Sequence, residues 1–307
     1  MLNNKTTIRN FSWDDLQEWT AFYNQSNGFN TIDTAFQIDS MAEFLTQHTM
    51  DPQKNCSIVE AQDEIVGYSM ISPEILIKRV IAQYGVRNSS TNRDTERRII
   101  ESIIQRTGEL GATKIHIQAH ADNIATVDFL EKNGFTSIKI YFLMEWISQE
   151  INPPIFPTNF HIRSFVKSQD ENDLTQIQND SFKESWGFCP NTVQEIKAKL
   201  DMEISDPRGI IFATDNNKLV AYNWTFRTPN PSSKTGCIGM MGVHPNYRGL
   251  GLGKNILLAG LQYLSTTGID SVRLEVDSLN ISAIKIYSDV GFQITSESKW
   301  YEKILNK

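Results

Sequence analysis

The stretch Val243-His244-Pro245-Asn246-Tyr247-Arg248-Gly249-Leu250-Gly251-Leu252-Gly253-Lys254 lies between two apolar segments. We predict a glycine-rich turn joining a strand at 236–243 to a helix at about 250–265. The first N–H groups of a helix carry partial positive charge, and glycines let a phosphate approach the backbone closely. The stretch matches neither the P-loop nor the GxGxxG dinucleotide pattern. A purely structural turn stays an alternative at this point.

Landmarks of the second half recur in the first half at one separation. Val86, Gly111, Asn123 and Gly134 each stand 157 residues before Val243, Gly268, Asn280 and Gly291. Between the two halves, the segment 148–158 contains three prolines, which disfavour helix and strand. We therefore predict two copies of one domain, 1–147 and 159–307, joined by a proline-rich linker at 148–158.

The second copy mixes helix and strand patterns. We expect strands at 160–165, 209–214, 218–227, 236–243 and 271–276, helices at 170–184, 191–204, 250–265 and 280–290, and two further strands within 292–304. A central hairpin among alternating helices and strands predicts an α/β fold, that is, a mixed α+β sheet in a three-layer domain.

Two motifs in this order resemble the GNAT superfamily of N-acetyltransferases. The first is Arg248-x-x-Gly251-x-Gly253, and the second is Asn280-Ile281-Ser282-Ala283-Ile284-Lys285-Ile286-Tyr287-Ser288-Asp289-Val290-Gly291-Phe292. The resemblance implies two tandem GNAT acyl-CoA N-acyltransferase-like domains, similar in architecture to mycothiol synthases. It also implies acetyl-CoA as co-substrate, no metal, and direct attack of a primary amine on the thioester.

The resemblance implies roles for individual residues. The strand end would bond to pantetheine through its backbone, the loop would hold the pyrophosphate, and Asn280 would contact the pantetheine arm. The expected cofactor-binding residues are Met241, Gly242, Val243, Arg248, Gly249, Leu250, Gly251, Leu252, Gly253, Lys254 and Asn280. Tyr287 would protonate the departing thiolate, and Glu275 would deprotonate the amine. A water as the base, a structural Glu275 and a merely packing Tyr287 stay open, and His244 is expected at the surface.

The first copy lacks most of these residues. At the same separation, Arg248, Gly251, Gly253, Glu275 and Tyr287 are replaced by Thr91, Asp94, Glu96, Gln118 and Leu130. Carboxylates at a pyrophosphate site repel the ligand, and leucine cannot donate a proton. We therefore expect a degenerate first domain and activity in the C-terminal domain.

The acceptor site is expected near the first helices of the second copy. The loop after the first of them carries Trp186 and Phe188, which would line the acceptor pocket or cap the core. Cys189 has no identifiable histidine partner for covalent catalysis. Tyr222 and Trp224 are expected in the core or a pocket wall.

Composition excludes several other classes of protein. The 307 residues carry a net charge of −7, the wrong sign for binding nucleic acid. Three separated cysteines support neither a disulfide framework nor a zinc site, and no apolar run or leader pattern indicates a membrane. We expect a cytoplasmic enzyme acting on a small-molecule or peptide amine. A non-catalytic acyl-CoA-binding regulatory module and a protein N-terminal or lysine acetyltransferase are the alternatives.

Overall fold

The computed structural model of the chain describes residues 6–26, 36–46, 50–87, 93–147, 150–227 and 234–305. Their contacts divide them into two compact units. The first unit contains the described residues up to Tyr141 together with 296–305. The second unit contains Phe142–Thr295.

The first unit is a mixed sheet between two layers of helices. Its strands are β1 (Thr7–Asn10), β2 (Cys56–Ala61), β3 (Glu64–Glu74), β4 (Arg79–Val86), β5 (Lys114–His120) and part of β12 (Gln293–Ile304), side by side in the order β1-β2-β3-β4-β5-β12. The helices are α1 (Leu16–Ser26), α2 (Ile38–Leu45), α3 (Pro52–Asn55), α4 (Arg93–Glu109) and α5 (Ile124–Lys132). α1 and α2 pack on one face and α4 and α5 on the other.

The second unit repeats this plan. Its strands are β7 (Phe160–Ser164), β8 (Ile210–Asp215), β9 (Lys218–Arg227), β10 (Thr235–Val243), β11 (Ser271–Asp277) and part of β6 (Thr136–Ile147), in the order β7-β8-β9-β10-β11-β6. Its helices are α6 (Glu171–Phe182), α7 (Val193–Leu200), α8 (Leu252–Thr266) and α9 (Ile281–Val290). α6 and α7 pack on one face, and α8 and α9 on the other. The predicted three-layer α/β class is confirmed.

The predicted elements of the second copy are present with one difference. Residues 293–304 form the single strand β12 rather than the two strands expected within 292–304. Ile256, Leu257, Leu261 and Leu264, which lie on one face of α8 at helical spacing, are fully buried. In α4, the corresponding isoleucines Ile99, Ile100 and Ile103 are buried and Ile104 is partly buried.

Part of the last strand of each sequence half belongs to the unit formed mainly by the other half. Met144 and Trp146 of β6 lie in the core of the second unit, and Tyr301 of β12 lies in the core of the first. Along β12, residues Ser298–Ile304 run antiparallel to β5. The contacts thus divide the chain differently from the predicted boundaries 1–147 and 159–307, which stay a prediction about the duplicated sequence.

Matching side-chain contacts support the duplication. Arg9 donates to both carboxylate oxygens of Asp15 in the first unit, and Arg163 does the same to Asp170 in the second. Each pair fixes the first strand of its unit to the segment that leads into the first long helix. Such repeated local geometry is what two copies of one domain would retain.

The proline-rich segment packs on the second unit. Residues 150–157 form neither helix nor strand, as expected, whereas Ser148 and Gln149 lie outside the described residues. The backbone N–H of Ile155 donates to Asn255 Oδ1 at 2.8 Å, and Phe156 packs against Leu252 and Ile256 of α8. This contact places the segment against the helix that follows the glycine-rich loop.

Candidate functional site

The site begins where two parallel strands separate. β10 pairs with β9 through to Val243, with a shift of register between Ile238 and Met240. Its pairing with β11, on the other edge, ends at Cys237 opposite Arg273. The edge of β10 from Ile238 to Val243 is therefore left without pairing to β11, and its N–H and C=O groups can bond to an extended ligand with amide groups.

The glycine-rich loop leads from this strand into α8. Gly249 and Gly251 have φ angles of +81° and +78°, a conformation that residues with a Cβ rarely adopt. Arg248 anchors the loop, because its Nη2 donates to the carbonyl of Ser181 at 2.9 Å and its Nε to that of Val243 at 3.4 Å. The helix then begins at Leu252, so the N–H groups of its first turn face the loop.

The structure places the predicted loop residues together at one end of α8. Leu252 is buried and fixes the helix to the sheet, while Gly249, Leu250, Gly251 and Lys254 are exposed. An anion bound there would meet backbone donors, the helix dipole and a lysine ammonium. The arrangement suits a pyrophosphate and contains no carboxylate among its loop residues 248–254.

Tyr287 lies on α9 beside the separated strands. Its side chain is 8% exposed and packs against Phe292, with ring centroids 5.9 Å apart. Burial raises the pKa of its hydroxyl to about 12. The group therefore stays protonated at neutral pH and can act as a proton donor.

Asn280 caps α9. Its Oδ1 accepts hydrogen bonds from the backbone N–H of Ala283 at 3.2 Å and from Ser282 Oγ at 3.0 Å. Asn123 caps α5 of the first unit in the same way, accepting from the N–H of Thr126. The recurrence of this Asn in both copies thus has a structural explanation, and its contact with pantetheine stays a prediction.

Glu275 lies on the face of β11 opposite the α8 and α9 layer. Its neighbours Leu274 and Val276 are buried in that layer, so the predicted alternation is present. Burial, and then the charge of nearby Glu275, raises the pKa of the Cys237 thiol to about 12. Glu275 is therefore close to the point where β10 and β11 separate. On the same face, Arg273 pairs with Glu145 of β6 at 3.3 Å.

A group of buried polar side chains beside β10 was missed by the sequence analysis. Gln178 Oε1, Ser181 Oγ and Tyr222 OH have no hydrogen-bond partner within the described part of the chain. All three residues are buried. Tyr222 was expected only in the core or a pocket wall. The sequence carries no periodic or motif signal that joins residues from α6 and β9.

The loop with Trp186 and Phe188 follows α6. Both side chains are half-buried, and the backbone N–H of Phe188 donates to the carbonyl of Ser185 at 3.2 Å. His244 is half-buried and its Nδ1 accepts from the N–H of Asn246, which indicates a turn-forming role. The assignment of Trp186 and Phe188 to the acceptor site stays a prediction.

In the first unit, charged side chains stand at the start of the helix that is equivalent to α8. Glu96, at the position of Gly253, is fully buried and accepts a hydrogen bond from Arg93 at 2.7 Å. Arg93 also donates to the carbonyl of Ala125 and lies over the Phe129 ring. Asp94 is exposed, while Thr91 lies outside the described residues. A pyrophosphate would meet a buried carboxylate here.

The described residues contain neither a metal-binding group nor a membrane-spanning helix. Within the described ranges, no group of three or more His, Cys, Asp or Glu side chains could hold a metal ion. Among the helices in those ranges, none combines the length and apolar composition needed to cross a membrane.

Both units match one protein family. Residues 171–292 match the acetyltransferase (GNAT) family, and residues 8–142 match an acetyltransferase (GNAT) domain. A mycothiol acetyltransferase of Stackebrandtia nassauensis is 26% identical over 260 residues, which cover 83% of this chain and 84% of the relative. A mycothiol acetyltransferase of Pseudarthrobacter chlorophenolicus is 24% identical over 289 residues, which cover 91% of this chain and 88% of the relative.

Solved structures share the fold. A GCN5-related N-acetyltransferase from Sphaerobacter thermophilus superposes with a TM-score of 0.77 at 16% identity, covering 100% of this chain and 98% of the other. A tandem GNAT protein from the clavulanic acid biosynthesis pathway gives a TM-score of 0.78 at 13% identity, covering 99% of both chains. At these identities the likeness extends to the fold alone.

Proposed function

Because the chain belongs to the GNAT family and is an N-acetyltransferase, we propose that its second unit transfers an acetyl group from acetyl-CoA to a primary amine by direct attack. The contrast between the two copies of the loop carries this proposal. The second copy has an exposed glycine loop before α8, whereas the first has the buried Glu96, paired with the half-buried Arg93, at that place. Phosphates bind where backbone donors are accessible and carboxylates are absent.

Acetyl-CoA supplies the activated acetyl group when it is bound. The free edge of β10 from Ile238 to Val243 would bond to the pantetheine amides, and the first turn of α8 would hold the pyrophosphate with Lys254. Arg248 would support this arrangement by keeping the loop against α6 and β10. These contacts would hold the thioester beside the separated strands.

Two residues then handle protons. Glu275, at the separation of β10 and β11, would take a proton from the acceptor ammonium, directly or through water, so that the amine can attack. Tyr287 would donate its phenolic proton to the departing thiolate. The two groups come from opposite faces of the sheet. A merely structural role for either residue predicts no selective loss of turnover.

The acceptor is proposed to be a small-molecule amine. Relatives that match most of this chain are called mycothiol acetyltransferases, and a structural neighbour belongs to a small-molecule biosynthesis pathway. Trp186 and Phe188, after α6, would provide apolar contacts for such an acceptor. We further propose that the enzyme works in the cytoplasm and needs no metal.

The test is a CoA-release assay with a panel of amino sugars, polyamines, aminoglycosides and peptides. Tyr287→Phe is expected to lower kcat about 10²-fold or more while changing the Kd for acetyl-CoA less than twofold. Equal activity in the variant would remove Tyr287 from the mechanism. If the wild-type protein binds acetyl-CoA but acetylates no amine on the panel, the result favours the alternative function, a non-catalytic acyl-CoA-binding regulatory module.

A further inference from the structure

We propose that Met240 sets the length of the acyl group that the second unit transfers. Its side chain bounds the space beside the free edge of β10 on the α6 and α7 face, so that acetyl-CoA is accepted and longer acyl-CoA thioesters are excluded. Gln178 is a positioning residue that holds the Met240 side chain in place. This inference rests on the proposed function and adds to it the residue that selects the acyl donor.

The free edge of β10 directs different side chains to the two faces of the sheet. Ile238, Met241 and Val243 pack in the cores on the α8 side. Met240 packs instead against the core on the α6 side. The change of side follows the shift of register between Ile238 and Met240, because a bulge breaks the simple alternation of a strand. Met240 therefore faces α6 although Met241, its neighbour, faces α8.

Met240 is the only side chain that residues 238–243 direct to the α6 face. Gly239 and Gly242 have no side chain, and aromatic rings occupy the space above them. A Cβ on Gly239 would collide with the Phe226 ring, and one on Gly242 would lie 2.7 Å from Tyr222 Cε1. Both rings pack in the core on the α6 side. The wall beside the free edge on this face is thus one half-buried thioether between two rings.

Gln178 fixes the Met240 side chain. A methionine side chain has three rotatable bonds and adapts readily to ligands of different size. Here Gln178 Nε2, on α6, donates to Met240 Sδ at 2.7 Å, and Gln178 is only 1% exposed. Since the amide is packed inside the helix layer, it cannot follow the sulfur to a new position. A fixed side chain can discriminate between acyl groups of different length, whereas a freely moving one adapts to them.

The acceptor side of the proposed reaction is the side of Met240. Pairing between β10 and β11 ends at Arg273, and Glu275, the proposed base, follows on the same face of β11. Leu274 and Val276 point into the α8 and α9 layer together with Tyr287, the proposed acid. The acceptor amine would therefore approach the thioester from the Glu275 face, and an acyl chain longer than acetyl would meet Met240 there.

The first unit has a contact of the same kind with different chemistry. Gln83 stands 157 residues before Met240, and the hydroxyl of Tyr23, on α1, donates to Gln83 Oε1 at 3.2 Å. In both units, a side chain of the first long helix thus holds the residue at this strand position. The unit without the glycine loop has a polar amide there, whereas the unit proposed to bind acetyl-CoA has an apolar thioether, which suits contact with an acyl chain.

The experiment compares Met240→Ala with Met241→Ala, the same change on the other face of the strand. The kcat/KM values for acetyl-, propionyl- and butyryl-CoA are measured with an amine that the wild type acetylates. Wild type should prefer acetyl-CoA to butyryl-CoA about a hundredfold or more, since one methylene changes kcat/KM about tenfold or more. Met240→Ala should reduce this preference at least about tenfold, because it opens space for the longer chain. Met241→Ala should leave the preference unchanged, whatever it does to the rates.

Gln178→Leu tests the positioning role. The change removes the amide but keeps a side chain of similar size, so Met240 becomes free to move. The preference for acetyl-CoA should fall about threefold to tenfold, and the same change in a Met240→Ala background should have no further effect on it. A merely structural role for Gln178 would lower the rates with all three donors alike and leave their ratio unchanged.

Calorimetry tests the selection of the donor without turnover. Wild type should bind butyryl-CoA about tenfold or more weakly than acetyl-CoA, and Met240→Ala should bind the two about equally. CoA, which lacks the acyl group, should bind both proteins alike. Equal binding and use of butyryl-CoA and acetyl-CoA by the wild type, or an unchanged preference in Met240→Ala, would overturn the assignment. Failure of the wild type to acetylate any amine would instead refute the proposed function, and the binding preference would still be measurable.

Discussion

Replacing Trp146 by alanine is expected to loosen the second unit, although Trp146 belongs to the first half of the sequence. Its side chain is 2% exposed and packs in the core with Leu257, Leu261 and Val272. Truncating a fully buried tryptophan costs about 3–5 kcal/mol, because apolar contacts are lost and a cavity remains. That is a large part of the stability of an ordinary domain.

Hydrogen exchange followed by mass spectrometry measures this loss locally. A loss of about 4 kcal/mol raises the opening equilibrium about a thousandfold, so amides of α8 and β11 that exchange by unfolding should exchange that much faster. The strands β2 and β3 of the first unit should keep their protection. Faster exchange there, with α8 and β11 unchanged, would refute the assignment of β6 to the second unit.

Phe135→Ala is the matched control. Phe135 stands eleven residues before Trp146 and is 3% exposed, but it packs in the core of the first unit. Its truncation should increase hydrogen exchange in the first unit, because it costs a similar amount of stability, about 3–5 kcal/mol. Tyr301→Ala, near the end of the chain, should also act on the first unit, since Tyr301 lies in that core. Two nearby substitutions should thus affect different units.

Three further predictions concern charges. Gly253→Glu, which introduces the residue found at the same position in the first unit, should weaken acetyl-CoA binding more than a hundredfold in calorimetry. The wild type should show one acetyl-CoA site per chain, and two equal sites would contradict the loss of binding in the first unit. Arg93→Ala should cost about 2 kcal/mol in urea unfolding by leaving Glu96 buried without its cation. Since burial raises the pKa of Glu96, the cost should grow with pH; a flat profile would argue against it. Burial lowers the pKa of His116, so stability should fall as pH drops through about 6.5, and His116→Gln should remove that part of the dependence.

Much of the fold and the loop could be predicted from the sequence for local reasons. The strand, the glycines and the helix around Arg248 follow one another along the chain, and each leaves its own periodic or turn signal. The duplication is visible because Asn123 and Asn280 each cap a helix, a task that one short polar side chain performs at one place. The position of Tyr287 on its helix follows from its spacing of seven residues after Asn280.

Other features depend on contacts between distant segments, and only the tertiary structure decided them. β6 and β12 have similar strand patterns, so neither sequence reveals which sheet it joins; the cores that receive Trp146 and Tyr301 decide it. The ring of Tyr222 meets Gly242 only after two strands pair in register. Local spacing carries no record of such meetings, because they depend on which surfaces the folded chain brings together. The sequence by itself thus determined the family and predicted the glycine loop and Tyr287, and the folded chain decided which strands complete each unit.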